Sequence, residues 1–402
     1  MARTPDSPAA PTGCPPAVTP PYATIRMNSA NQCQLLTDDR LCRIQSEMGE
    51  SLLPHVCATY PRIVQSLGGA KEMSLTLSCP EAARLVLLTP NLPAVANPAG
   101  GRIYSAPDKN APLLPEHFWP IRAAVLNLVR MRVYPLWQRL FLLGILSTRL
   151  DAIARGEHDR SVPGFLADFE QTVATGALRP AMENLPTDRS AQLDIVLRLA
   201  GLMLHRSNVR PRFVECIDAF TSGIGNGPGA TLESLTSHYA VAHDRFYAPF
   251  IDRHPYIMEN LLINTILRCQ FPFGREAIRT GASPQRSREF ALLAAQFALI
   301  RGLVIGVAGH HGTAFSTAHV VHTVQAASKH FEHHPDFLKM AYELLVERRM
   351  DGPAELAVLL RNAEMDRGAG EARPATEGIY APGQPDGRSA WAPVPAGKVR
   401  PA

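Results

Sequence analysis

From Pro80 onward the apolar residues of this chain recur every three or four positions in one segment after another, the spacing that gives a helix one continuous apolar face. Helices are predicted over 80–88, 117–132, 135–155, 163–176, 188–206, 210–221, 231–248, 255–270, 285–307, 314–331, 335–348 and 353–364. Pro163, Pro255, Pro284, Pro335 and Pro353 each stand just ahead of such a run, where a proline at the first helical position costs no hydrogen bond. Extended signals are few: the neighbourhood of Arg26 and a brief alternation from Glu72 to Ser78. No solenoid-length repeat is visible. The expected fold class is therefore all-α, a body of about a dozen helices with a small irregular cysteine-rich subdomain near the N-terminus.

The punctuation divides the chain further. Residues 1–20 are crowded with prolines among small residues and read as a disordered leader, and 366–402 read as a disordered tail whose only large apolar anchor is Trp391. Between them the expected divisions are a cysteine-rich subdomain over 21–88, a linker loop over 89–116 and a helical domain over 117–365. The stretch Ser222-Gly-Ile-Gly-Asn-Gly-Pro-Gly has the glycines of a nucleotide loop, but a helix precedes it where that fingerprint needs a strand. It reads as a flexible connection between helices, and the alternating strands of a Rossmann-like methyltransferase are missing from the pattern.

Composition changes this picture little. With 46% hydrophobic residues in 402, the chain can bury a large core. Forty basic and 36 acidic residues give a net charge of +4 without a dense Lys/Arg run, which argues against a nucleic-acid partner and is compatible with an acidic protein partner. Seven cysteines, an odd number, follow a start without a signal-peptide pattern, so reduced thiols and a cytoplasmic location are expected. The apolar stretch Phe290–Gly309 contains Gln296 and Arg301, and 121–150 contains four arginines; neither reads as a membrane span.

The candidate chemistry lies in three places. Cys33, Cys42, Cys57 and Cys79 crowd one short region and are the candidate metal ligands, since converging thiolates bind zinc or an iron–sulfur cluster, although none of their spacings is a CxxC pair. Cys216 and Cys269 lie in apolar helices and are expected to pack as small hydrophobes. Tyr256, Asn260 and Asn264 share one face of the 255–270 helix, either as a buried structural network or as the wall of a pocket, with Glu259 beside them. Seven histidines gather at 310, 311, 319, 322, 330, 333 and 334; His319 and His322 sit at a spacing that would suit a metal, but no acidic residue completes an HExxH pattern, and surface or helix-end positions are expected.

The wording around these residues resembles the flagellin lysine-N-methylase family, which is related to the cysteine-cluster proteins. The resemblance runs through 33–45, Gly49-Glu50, Cys57-Ala-Thr-Tyr-Pro-Arg62 and Leu77-Ser-Cys-Pro-Glu-Ala-Ala-Arg84. It resumes at His254–Asn264, Phe271-Pro-Phe-Gly274 and Ser328–His334. It implies a cytoplasmic enzyme that moves a methyl group from S-adenosylmethionine to lysines of flagellin, with an iron–sulfur cluster or zinc held by Cys33, Cys42, Cys57 and Cys79. On that reading Tyr256 and Glu259 are the residues to test as catalytic base, while Asn260, Asn264 and Arg62 hold the cofactor in a crevice against the cysteine region. Arg62 would fork onto the cofactor carboxylate, or else pair structurally with an acid such as Glu81. Where the family has a longer leader with adjacent cysteines, this chain has only Cys14. Part of the ligand set is thus expected to be missing, and the other expectation is a non-catalytic metal-binding or partner-binding protein of the same descent.

Overall fold

The structure, a computed structural model, describes residues 25–29, 32–68, 70–90, 92, 114–204, 209–332, 334 and 336–361. The leader, the tail, Cys14, Trp391 and most of the expected linker lie outside the described residues. The chain divides into two compact units, the first ending at Ala58 and the second beginning at Thr59.

The first unit is built from turns. Isolated antiparallel bridges join Met27 to Cys33 and Leu36 to Cys42, and a π-helical turn over Ile44–Met48 leads into a 3-10 turn over Glu50–Leu52. The extended character expected around Arg26 is thus present as the Met27 bridge. Helix α1 (His55–Thr59) carries the chain out of the unit.

The second unit opens with an antiparallel hairpin, β1 (Arg62–Leu67) and β2 (Ala70–Leu75), in the register Arg62↔Leu75 to Leu67↔Ala70. Gly68 takes the positive φ of 56° at its turn, a conformation that costs glycine least. There follow α2 (Pro80–Leu88), α3 (Phe118–Arg130), α4 (Leu136–Ala154), α5 (Val162–Ala174), α6 (Arg179–Glu183), α7 (Arg189–Leu204) and α8 (Pro211–Gly223). Next come α9 (Leu232–Ala242), a π-helical turn (His243–Tyr247), α10 (Ala248–Arg253), α11 (Tyr256–Cys269), α12 (Arg275–Thr280), α13 (Arg286–His311), α14 (Thr317–Phe331), α15 (Phe337–Glu347) and α16 (Pro353–Leu360). The fold is all-α, as its periodicity predicts. Each of the dozen expected helices is present, and the additional ones are the short α1, α6, α10 and α12, too brief to show a period. The strand expected over 72–78 instead ends at Leu75.

Helix α13 is the axis of this unit. Every residue from Phe290 to Ala308 is buried, and α4, α7, α8, α9, α14, α15 and α16 all pack on it. Its most apolar stretch would suit a membrane crossing by length and composition, but here other helices bury that whole stretch, which is what a helix apolar on all sides requires. Each fully buried Leu, Ile or Phe contributes on the order of 1.5–3 kcal/mol. Polar groups at its start and middle are met by neighbouring elements. Asp151 of α4 accepts from the backbone N–H of Arg286 and Ser287 at 3.1 and 2.8 Å, placing a carboxylate on the positive end of the helix. Arg301 donates to the carbonyls of Leu359 and Leu360, closing the C-terminal end of α16.

Where α8 crosses α13 the backbones touch. A Cβ on Gly223 would stand 1.8 Å from the carbonyl oxygen of Gly306, and one on Gly306 would stand 2.4 Å from the ring of Phe220. Only residues without side chains let these helices approach so closely. The loop after Gly223 is the glycine-rich stretch, and it connects α8 to α9 as expected.

Candidate functional site

The face of α11 that carries the expected site residues is occupied by protein. Glu259 is buried and grips two arginines, one in the turn between α3 and α4 and one in the first turn of α4: Arg132 Nη2 donates at 2.8 Å and Arg139 Nη1 at 2.6 Å. Burial pushes its carboxyl up, but the two guanidiniums outweigh that and hold it below the usual carboxylate range. A carboxylate so stabilised accepts a proton poorly, and its geometry is that of an ion-pair anchor rather than of a base.

Asn260 donates through Nδ2 to the carbonyls of Val86 and Thr89, at 2.9 and 2.8 Å, and so closes the last turn of α2. Asn264 exchanges two hydrogen bonds of 2.9 Å with the backbone of Leu75, mimicking the next strand beside β2. On the face of this helix expected to form a crevice with the cysteine region, both amides are spent on the backbone of α2 and β2. Tyr256 is half-buried, its ring 6.1 Å from that of His254. Arg62 is exposed at the start of β1.

Other stretches of the family wording are structural. Phe273 stacks on Phe118 with centroids 4.7 Å apart, and the fully buried Arg122 pairs with Glu72 and donates to the carbonyl of Phe271 at 2.6 Å. His330 contacts the carbonyl of Met203 at 2.6 Å and stacks on Phe213.

In the first unit Cys57 is exposed, Cys33 and Cys42 are half-buried, and all three are free thiols. Partial burial raises the Cys57 thiol, and the nearby Cys42 and Cys33 raise it further, so it stays protonated at neutral pH. The three are therefore neighbours. They do not enclose a metal: among the described residues no three His, Cys, Asp or Glu side chains converge on one point. Cys79, in the second unit, stands at the N-terminal cap of α2 and interacts with Tyr60. The expected four-thiolate group is thus not assembled by the described residues.

A cleft of about 290 Å³ opens instead where α8, α13 and α14 meet, lined by Glu215, Cys216, Ala219, Val307, Thr323 and the histidines 310, 311, 319 and 322. The Gly223–Gly306 contact sets this corner by drawing α8 against the end of α13, where His310 Nδ1 lies 3.0 Å from Ser222 Oγ. His319 closes the start of α14: the N–H of Ser316 donates to its Nδ1 at 3.1 Å. The ring of His311 lies parallel to that of His319, with centroids 3.7 Å apart. Desolvation first, then the neighbouring imidazoles, pushes both His311 and His319 below the usual histidine range. His322 Nε2 stands 3.9 Å from Glu215 at the rim.

These histidines are the ones whose crowding the sequence shows. The spacing of His319 and His322 places both on one face of α14, but no linear pattern shows that α8 is drawn against His310 and His311. Cys216, expected to pack as a small hydrophobe, does so, and burial pushes its thiol up to about 12.

The fold and this cleft define an all-helical protein with a side-chain-sized, imidazole-lined recess, a class apart from the strand-and-helix nucleotide folds. Residues 122–359, more than half of the 402, match the family model described as the FliB lysine N-methylase C-terminal domain, and the chain belongs to that family. It is 25% identical over 208 residues to the lysine-N-methylase of Salmonella typhimurium (strain LT2), covering 49% of this chain and 50% of the relative, and equally to that of Salmonella choleraesuis (strain SC-B67). The flagellar biosynthetic protein FliU of Salmonella muenchen is 35% identical over 75 residues, 18% of this chain and 44% of the relative. The chain thus spans about half the length of the curated relatives it matches. No solved structure matches it.

Proposed function

We propose that this chain is a protein lysine N-methyltransferase that takes its methyl group from S-adenosylmethionine and acts on flagellin in the cytoplasm, before the subunit is exported. The observation that carries this reading is the family match over 122–359, which spans every residue lining the cleft. The printed names of the relatives support it, two as lysine-N-methylases and one as a flagellar biosynthetic protein. The chemistry asks for a lysine amine made neutral and held in line with the sulfonium methyl, away from water. On this reading Glu259, Asn260 and Asn264 contribute rigidity. A cluster or zinc on the cysteines belongs to the same reading only if further ligands join Cys33, Cys42 and Cys57, and no step is routed through it.

The test is mass spectrometry of flagellin from cells with and without this protein. Methylated lysines that disappear with the protein are expected; identical spectra would overturn the reading.

A further inference from the structure

The cleft between α8, α13 and α14 has a selective chemistry. Among its lining residues stand one carboxylate, Glu215, four imidazoles and the apolar surfaces of Cys216, Ala219 and Val307, with no lysine or arginine. Such a wall offers a cation one carboxylate and offers an anion no lysine or arginine. At about 290 Å³ it falls just below the ~300–1,000 Å³ that encloses a drug-sized ligand, room for a long side chain rather than a whole nucleoside. An aliphatic stem ending in an ammonium group fits both properties.

The histidines also differ in what they can do. His319 Nδ1 already accepts the N–H of Ser316, so its own proton sits on Nε2 and it cannot take another without breaking the cap of α14. His310 is engaged with Ser222, and His322 faces Glu215. Among the described residues the ring of His311 takes no hydrogen bond; it stacks on His319 and meets the ring of His310 edge-on, with centroids 4.8 Å apart. A neutral imidazole has one unprotonated nitrogen, and among the described residues no side chain or backbone N–H occupies it on this half-buried ring, so it is open to the cleft.

We propose that this cleft receives the acceptor lysine, with Glu215 drawing in its ammonium group and His311 taking its proton. The inference rests on the methyltransferase reading and deepens it. The ε-ammonium loses one proton to a ring nitrogen of His311. The freed lone pair forms the nitrogen–carbon bond as the methyl–sulfur bond of S-adenosylmethionine breaks, and sulfur keeps that electron pair. The products are a protonated methyllysine and a neutral thioether, and His311 returns its proton to solvent.

The experiment uses the full chain, purified flagellin and S-adenosylmethionine, with three variants. His311→Ala is expected to lower kcat by about 100-fold or more, the range lost with a general base, and added imidazole should restore part of the rate. Ala219→Phe, which fills the cleft, should raise KM for flagellin about tenfold or more while leaving that for S-adenosylmethionine unchanged. Glu215→Gln should raise KM for flagellin alone. Circular dichroism separates these effects from unfolding, and if His311→Ala does not fold, the Ala219→Phe and Glu215→Gln constants decide the matter. If the unaltered chain methylates flagellin while His311→Ala and Ala219→Phe leave both constants unchanged, the cleft assignment is overturned and the activity stands. If the unaltered chain transfers no methyl group to flagellin, the functional reading fails and takes this inference with it.

Discussion

The imidazole of His311 lies on that of His319, ring centroids 3.7 Å apart and planes 11° from parallel. Both rings have folded-state pKa values below the ordinary histidine value, His311 through desolvation, His319 and His310, and His319 through desolvation, His322 and His310. The unfolded chain, with pKa about 6.5, then binds more protons than the native state just below that pH. The pair's contribution to stability is complete above about pH 6.5 and is lost as pH falls through the folded values. His319→Asn keeps an acceptor for the Ser316 N–H but cannot titrate. Thermal unfolding at about pH 7.5 and about pH 5.5 should show a smaller loss of stability in this variant than in the unaltered chain. Equal losses would mean the stacked pair carries no part of the acid sensitivity.

Glu259 should behave as an anchor. Glu259→Ala strands the buried Arg139 and is expected to cost about 3–5 kcal/mol in urea unfolding. Arg132→Ala, at a side chain 48% exposed, should cost about 1 kcal/mol or less. A Glu259→Gln variant of full stability that lacks methyl transfer would return Glu259 to the catalytic role the sequence suggests.

Asn260→Leu removes the donor that closes α2 and leaves the carbonyls of Val86 and Thr89 unanswered by it. A loss of about 1–3 kcal/mol in denaturant unfolding is expected, with methyl transfer per folded molecule retained. Unchanged stability with abolished transfer would show that its amide serves a ligand.

The α8–α13 crossing should tolerate no side chain at Gly223, because the atom it would meet is backbone and cannot rotate away. Gly223→Ala is expected to cost about 3 kcal/mol and to deform the cleft. Gly227→Ala, where a Cβ would meet nothing within 4 Å, is the neutral control. Equal melting temperatures for the two variants would contradict the close contact.

Much of this fold is legible in the sequence because most of its helices carry an apolar period and several start at prolines: Pro80, Pro163, Pro211 and Pro353 all stand in the first turn of a helix. Strand β1 is less legible because its residues are buried to similar degrees on both faces and give no alternation. The site is harder to read. The polar stripe Tyr256, Asn260 and Asn264 looks the same in sequence whether its amides serve backbone or a ligand, since only tertiary contact supplies Val86, Thr89 and Leu75 as partners. The histidines of the cleft are visible as a crowd. Their meeting depends on Gly223 and Gly306, whose contact no local pattern shows.

The most direct test of the central claim is transfer itself. The purified chain is incubated with flagellin and S-adenosylmethionine deuterated at its methyl group, and the flagellin is mapped by peptide mass spectrometry. The account predicts deuterated methyl groups on lysine ε-nitrogens, dependent on the chain and on the methyl donor. Flagellin that stays unlabelled with the folded chain and donor present would contradict it.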